Sequence, residues 1–381
     1  MRASVLVDVG RLELRELVAP RVRRHDVLLR VTAVGLCGTD FHIFAGHANY
    51  WLDARGKPVP LSRHPQVLGH EIVGVIEGTG QGVADVARGQ RVVVDQGVNC
   101  VSEHRVTRCE YCASGDSHQC EAYREHGISG LPGGLAGYLA VPAVNVVTID
   151  SDLDDAEAAL TEPLACVLHA ASVTERAAAR YALRTTEPAR AVRSVFLSGA
   201  GPAGLLFLQY LRSVIGFDGL AIVSEPSAHK RGLARALGAQ AIDPASDDPV
   251  AVTRELTAGR RVEMLVDASG AAELFAEIPG LIRKQATVLL YGHGRAGASL
   301  EMLNPVQWLE PTLIATVGAS GGFDPDLRPS VYRRALGLIA AGTIRVRDLV
   351  THRYRGLEQV PLAFSGEHRA RDYVKGVVLM A

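Results

Sequence analysis

Aromatic residues are scarce, at 5% of the chain, and neither charge sign is in excess: 40 Lys+Arg against 41 Asp+Glu give a formal net charge of −1 over 381 residues. A chain without a basic surplus and with few stacking platforms is not built to hold nucleic acid, and it has no acidic tail. No unbroken apolar stretch opens the sequence. Asp8 and Arg11 interrupt MRASVLVDVGRLELRE, so no secretory signal is read and cytoplasmic residence is expected. One run, Ser194 to Leu211, holds 18 residues without a charge, but four Gly or Pro residues precede its Leu-rich end. That order suits a buried strand, a tight turn and a helix, not a membrane span. Cysteine is also sparse: Cys37, Cys100, Cys109, Cys112, Cys120 and Cys166 are the only six. A core of this size needs no disulfide staples, so the cluster between Cys100 and Cys120 points to metal.

What is present is ordinary for a soluble two-domain protein, with 48% hydrophobic and 21% charged residues. Residues 1 to about 150 read as β-rich, with runs such as VLLRVTAVGL, EIVGVIEG and RVVVDQG broken by Gly-containing turns. From 166 to 318 the pattern changes. Strand-like SVFLSG, LAIVSE, MLVDAS and ATVLLYG alternate with helix-like AGLLFLQYLRSVIG, SAHKRGLARALGA and AAELFAEIPGLIRK. This alternation predicts βαβ units and a doubly wound parallel sheet, an α/β fold. A helix-like SVYRRALGLIAAG and a strand-like KGVVLM end the chain. The Ala/Arg-rich TERAAARYALRTTEPARAVR, Thr174 to Arg193, reads as a solvated helix followed by a turn at Glu187-Pro188.

Gly199, Gly201 and Gly204 form G-A-G-P-A-G directly after one strand-like run and before a helix-like one. In that context the motif reads as a dinucleotide site. The first Gly permits the turn, the second admits the pyrophosphate, and the third, after Pro202 and Ala203, lets helix and strand pack closely. The phosphates would sit at the helix N-terminus, where free N–H groups favour anions. Glu225 ends the next strand-like run, where a carboxylate accepts from ribose hydroxyls and repels a 2′-phosphate. NAD is therefore expected over NADP, although His229, Lys230 and Arg231 lie close enough to hold a phosphate.

Two metal constellations stand out. Cys109-x2-Cys112-x7-Cys120 is a knuckle-like spacing for a structural zinc, with Cys100 as the natural fourth ligand and His104 and His118 as alternatives. Cys37, His70, Glu71 and Glu162 supply a thiolate, an imidazole and two carboxylates, a set suited to a catalytic zinc with an open position. Thr39 and His42, just after the thiolate, could carry a proton from an alcohol to solvent.

GLCGTDFH, GHE, the cysteine lobe, EPLACVLHA and GAGPAG together resemble the zinc-dependent medium-chain dehydrogenases, over essentially the whole chain. Glu71 and Glu162 resemble the sorbitol, threonine and butanediol dehydrogenase branch. The resemblance implies a GroES-like catalytic domain from residues 1–165 and 319–381, with a Rossmann domain over 166–318. It implies two zinc ions per chain. Cys37, His70 and Glu162 would bind one, with Glu71 a direct or exchanging ligand, and Cys100, Cys109, Cys112 and Cys120 the other. It further implies cofactor contacts at Gly199 to Gly204, Glu225 and Lys230, and a homodimer or homotetramer. The expected reaction moves a hydride between NAD and a secondary alcohol, polyol, cyclitol or sugar-derived alcohol. A zinc-free enone reductase and a non-catalytic nucleotide-binding protein are the alternatives; the first would lack Cys37, His70 and Glu162, the second would show eroded ligands.

Three features depart from the family. Eight residues, VSEHRVTR, separate Cys100 from Cys109, and either bulge outward or bring in another first ligand. The segment near 176–192 reads as an insertion, an oligomer contact or a lid over the cofactor cleft. Cys166 has no family role and reads as a buried core residue. His47, Tyr50 and Trp51 read as loop packing ahead of pocket lining. By resemblance alone, Gly292 to Gly294 and the VGASGG run from Val317 would border the nicotinamide.

Overall fold

The computed structural model describes the whole chain except Arg295, Ala296, Ala298, Leu300, Met302, Ser320, Gly321 and Ala381. The Ser320 and Gly321 of VGASGG thus lie outside the described residues. The chain forms two compact units, Met1–Ala165 with Ala319–Ala381, and Cys166–Gly318.

The second unit is a parallel sheet. Its strands are β1 (Ser194–Ser198), β2 (Leu220–Ser224), β3 (Gln240–Ile242), β4 (Val262–Asp267), β5 (Ile282–Leu290) and β6 (Thr312–Ala315), in the order 3-2-1-4-5-6. β1 and β4 are buried along their entire length, as apolar strands covered on both faces must be. Phe196, Ile222, Leu265 and Val288 sit at the centre of its core. This strand order has its reversal beside β1, where a ligand crevice opens at the carboxyl ends of the strands.

The helix-like runs form with local corrections. AGLLFLQYLRSVIG becomes an α-helix over Pro202–Gln209 that widens to a π-helix over Tyr210–Ile215 and stops at left-handed Gly216. AAELFAEIPGLIRK is helical only over Leu274–Leu281. Pro279 and Gly280 fall in the last turn, and Ile282 already opens β5. The Ala/Arg-rich segment is not a solvated helix. The helix Thr161–Arg176 stops where the segment begins, and Ala182 bridges to Ala191. Arginines here bind backbone carbonyls: Arg190 donates to Arg180 O (3.1 Å), Arg193 to Pro188 O (3.1 Å) and Arg184 to Val214 O of the π-helix (3.0 Å). The segment feeds the first residue of β1, whereas the glycine turn follows the last.

The first unit is built on a seven-stranded sheet. Its order is Val146–Thr148, Arg91–Val94, Glu71–Thr79, Asp26–Leu36, Lys375–Leu379, Val350–Arg355, with Tyr138–Pro142 also paired to Asp26–Leu36. In its register Gly35 pairs with Glu71, and Leu36 with Gly376. One end of the sheet thus collects residues from the first tenth, the first fifth and the very end of the chain. Among the described residues, no helix is long and apolar enough to cross a membrane.

Candidate catalytic and structural metal sites

Cys37 leaves the strand Asp26–Leu36 and caps the helix Gly38–Phe44. Its own N–H donates to Asp40 Oδ2 (2.9 Å), which fixes the first turn. Asp40 Oδ1 accepts from Gly69 N (3.0 Å), tying this turn to the residue before His70, and lies 3.5 Å from His70 Nδ1. Cys37, His70 and Glu71 each present a ligand atom within 4.8 Å of the others. Glu71 is fully buried against Gly35, where an added Cβ would collide with its Oε2. Its Oε1 pairs with the buried ammonium of Lys375, while Oε2 has no hydrogen-bond partner among the described residues.

Buried groups of both signs meet here. Burial opposes charge on His70, but the Asp40 carboxylate and the Cys37 sulfur hold its pKa well above the usual value. Asp40 is likewise penalised by burial, yet His70 and the Cys37 and Gly69 N–H groups keep its pKa low. Nearby, burial pushes the Asp95 carboxyl up to about 8, with the charges of Glu162 and Glu125 adding to it against the Gly97 N–H. A thiolate, an imidazole and a buried carboxylate oxygen without a partner fit zinc, and the Asp40 carboxylate behind the imidazole is the usual support for such a ligand.

Glu162 lies outside this group. It sits in the first turn of Thr161–Arg176, and its Oε1 is taken by Gln96 Nε2 (3.1 Å), which is held in turn by the Tyr332 hydroxyl. Thr39 Oγ1 lies 3.8 Å from Cys37 Sγ. Thr39 and His42 share a helix face at i, i+3. Burial and the neighbouring His47 lower the His42 pKa, which keeps its imidazole neutral near pH 7. Tyr50 is close enough for the Cys37 and Glu125 charges to add to burial in raising its pKa, so it borders the site. Trp51 packs instead, its ring against Gly130 and edge-on to His64.

In the second cluster, Cys100, Cys109, Cys112 and Cys120 all present sulfur within 4.8 Å of one another, and Cys100 lies 3.6 Å from Cys120. The eight extra residues bulge outward and return. Asn99 Oδ1 accepts from Val101 N (2.9 Å), Arg105 N donates to Cys100 O, and Glu103 is clamped by Arg124 (3.0 Å). His104 packs on His25 and, like His118, is not in the group. N–H groups of Cys112 and Glu121 lower the Cys109 thiol to about 6, while burial raises Cys112 and Cys120. Four sulfurs with no water position make a closed, structural donor set. Cys166 is buried.

In the parallel-sheet unit, Gly199 has φ +92°, Gly201 caps the helix Pro202–Gln209 with Pro202 at its first position, and an added Cβ at Gly204 would strike the Gly199 carbonyl. Gly201 faces open space, the side a pyrophosphate would approach. Glu225 is buried at the end of β2 and spans the turn, accepting from Ala200 N (2.8 Å) and Ser227 N (2.9 Å). Ser227, not Glu225, caps the next helix, through Lys230 N. Arg231 is committed to the Glu225 and Pro226 carbonyls and to Asp243 (2.9 Å). Gly292 to Gly294 follow β5 and pack on Gly270, at the same strand edge.

Asp40, Gln96, Asp95, Glu125 and Lys375 were not apparent from sequence. The one signal available was Asp40, three residues after a strand-ending cysteine, the position of a capping carboxylate.

Comparison with known proteins supplies the frame. Residues 23–151 match the alcohol dehydrogenase GroES-like domain and residues 202–340 the zinc-binding dehydrogenase domain. The L-threonine 3-dehydrogenase of Thermococcus kodakarensis is 28% identical over 92% of this chain and 90% of its own length. The L-galactonate-5-dehydrogenase of Escherichia coli is 29% identical over 93% and 92%. A zinc-binding dehydrogenase from Sinorhizobium meliloti, solved with NADP, superposes with a TM-score of 0.78 at 28% identity, covering 99% of this chain and 98% of its own.

Proposed function

The chain belongs to the zinc-dependent medium-chain alcohol dehydrogenase family, and on that premise we propose how its residues divide the work. It is an oxidoreductase of the zinc-containing alcohol and polyol dehydrogenase type. The observation that carries the assignment is the convergence of Cys37, His70 and Glu71 beside Thr39.

In this reading Cys37, His70 and Glu71 hold the catalytic zinc, and Glu162 stands next to them as the exchanging carboxylate. When bound, zinc supplies Lewis-acid activation of the alcohol and the dinucleotide supplies the hydride acceptor. Asp40 holds the His70 ring in place. Thr39 Oγ1 accepts the alcohol proton and passes its own toward the neutral His42 imidazole, which delivers it to solvent. Lys375 balances the buried Glu71 charge and lets Glu71 remain beside the other ligands. The Cys100, Cys109, Cys112 and Cys120 thiolates hold a second, structural zinc. The turn from Gly199 to Gly204 receives the pyrophosphate. NAD is the cofactor, since Glu225 occupies the ribose position and Arg231 is already engaged. Lys230 flanks the adenosine side.

The substrate is a polyhydroxylated or sugar-derived secondary alcohol, in keeping with relatives named for threonine and galactonate. The half-buried Glu125 and the buried Asp95 carboxyl near the cluster favour a polar substrate. The exposed Trp308 and, on the edge strand β6, Leu313 support a homodimer or homotetramer, and the enzyme acts in the cytoplasm.

The test is NADH formation by zinc-replete protein across diols, polyols, cyclitols, sugar acids and simple secondary alcohols, with NADP in parallel. Turnover of one polar class with NAD is expected. Turnover with NADP alone would overturn the role given to Glu225, and preference for simple alkanols would overturn the substrate class.

A further inference from the structure

A cavity of about 290 Å³ lies in the parallel-sheet unit, between the end of the helix Thr161–Arg176, the Ala/Arg-rich segment and the sheet. Its floor is apolar. Met264 of β4 and Val192 are buried there, and Leu183 and Tyr181 form a wall. Thr287 of β5 also lines this floor, 2% exposed, with its hydroxyl buried and without a hydrogen-bond partner among the described residues. A buried hydroxyl with nothing to bond is costly, and native structures satisfy nearly all such groups.

The mouth is cationic. Arg184 spends one N–H on the Val214 carbonyl and meets no carboxylate among the described residues. Arg190 is pinned by the Arg180 carbonyl, and its nearest carboxylate, the exposed Glu187, is 3.8 Å away. Glu175, also on the rim, accepts from the Tyr210 hydroxyl (3.5 Å). Over the whole segment five arginines outnumber two glutamates. Guanidinium groups held in place by carbonyls are preorganised to bind a carboxylate.

We propose that this cavity is a binding site for a small organic acid with an apolar body, separate from the glycine turn at the other end of β1. Size sets the body. A cavity of roughly 150 Å³ holds benzene, so this one takes a benzoate- or hexanoate-sized acid. The body rests on the Met264 thioether and Val192 beside Thr287, and Arg184 and Arg190 take the carboxylate. Met264 is adaptable and favours aromatic contacts.

The sequence has four methionines, so ε-¹³C-methyl-methionine labelling of the zinc-loaded enzyme gives a simple spectrum, with Met264→Leu assigning the reporter. Benzoate and hexanoate should move the Met264 methyl resonance saturably, and neutral benzamide should bind at least about tenfold more weakly, the loss of one charge-assisted contact. Arg184→Gln and Arg190→Gln should each weaken benzoate about three- to tenfold and leave alcohol oxidation unchanged. A Met264 resonance unmoved by either acid at about 10 mM, the weak limit of specific binding, would overturn the proposal. So would equal shifts from benzamide, or full affinity in both variants.

Discussion

The two cysteine-bearing clusters follow opposite plans. The lobe takes four sulfurs from the 21 residues between Cys100 and Cys120, and its eight-residue bulge changes nothing at the centre because Asn99 and Glu103 fold it back. The other cluster mixes a thiol, an imidazole and a carboxylate, and depends on strand register to bring Gly35, Glu71 and Lys375 together. A closed set of like donors needs only local spacing. An open, mixed set needs the rest of the fold to hold its charges in balance, and that is the set available for chemistry.

The sharpest way to break this contrast is to exchange the damage. Cys37→Ser should lower kcat/KM by at least about 10³-fold, the scale of a lost catalytic metal, with a melting temperature close to wild type. Cys112→Ser should do the reverse, costing roughly 10 °C in melting temperature as a structural metal is lost. Similar profiles for the two variants would erase the distinction.

In the zinc-free protein, Lys375→Met leaves Glu71 charged, fully buried and without its ammonium partner, which costs about 3–5 kcal/mol. Urea melts measure it, and Glu71→Gln added to the same chain should recover most of the loss. A Lys375→Met protein as stable as wild type would contradict the importance given to this pair.

Legibility divides along the same line. The glycine turn, the lobe cysteines and four strands of the parallel sheet are apparent from local pattern, because each is decided within about twenty neighbouring residues. β3 and β6 escaped notice, being three and four residues long and set by pairing to longer strands. The Ala/Arg-rich segment reads as a helix by propensity, but its arginines find carbonyl partners that a single helix cannot offer. At the mixed site the ligand types were visible, whereas Lys375 lies 304 positions from Glu71 and no local signal connects them. Glu162, expected among the ligands, lies outside the group of Cys37, His70 and Glu71 and accepts from Gln96, a contact fixed by tertiary packing.

His42→Gln refines the account of proton exit. Burial and His47 hold the His42 pKa below the ordinary 6.5, so its accepting, neutral form is lost as pH falls through that lowered value. Alcohol oxidation should therefore decline on the acid side below pH 6.5 and be level above it. The variant should lose about 10²-fold in rate, together with that limb. An unchanged pH profile would remove His42 from the relay.

The smallest effect expected is in cofactor choice. If Glu225 sets cofactor choice as proposed, Glu225→Ser should lower the NAD-to-NADP preference about tenfold, near 1.4 kcal/mol. A preference that does not move would assign selectivity to other residues.

The most direct measurement tracks zinc content, activity and melting temperature together as a chelator is titrated into the enzyme. Two zinc ions per chain should be found. The first should leave with all the activity and little stability, and the second should leave only as the protein melts. A single zinc per chain, or activity that survives loss of the first ion, would contradict the division between an open catalytic site and a closed structural one.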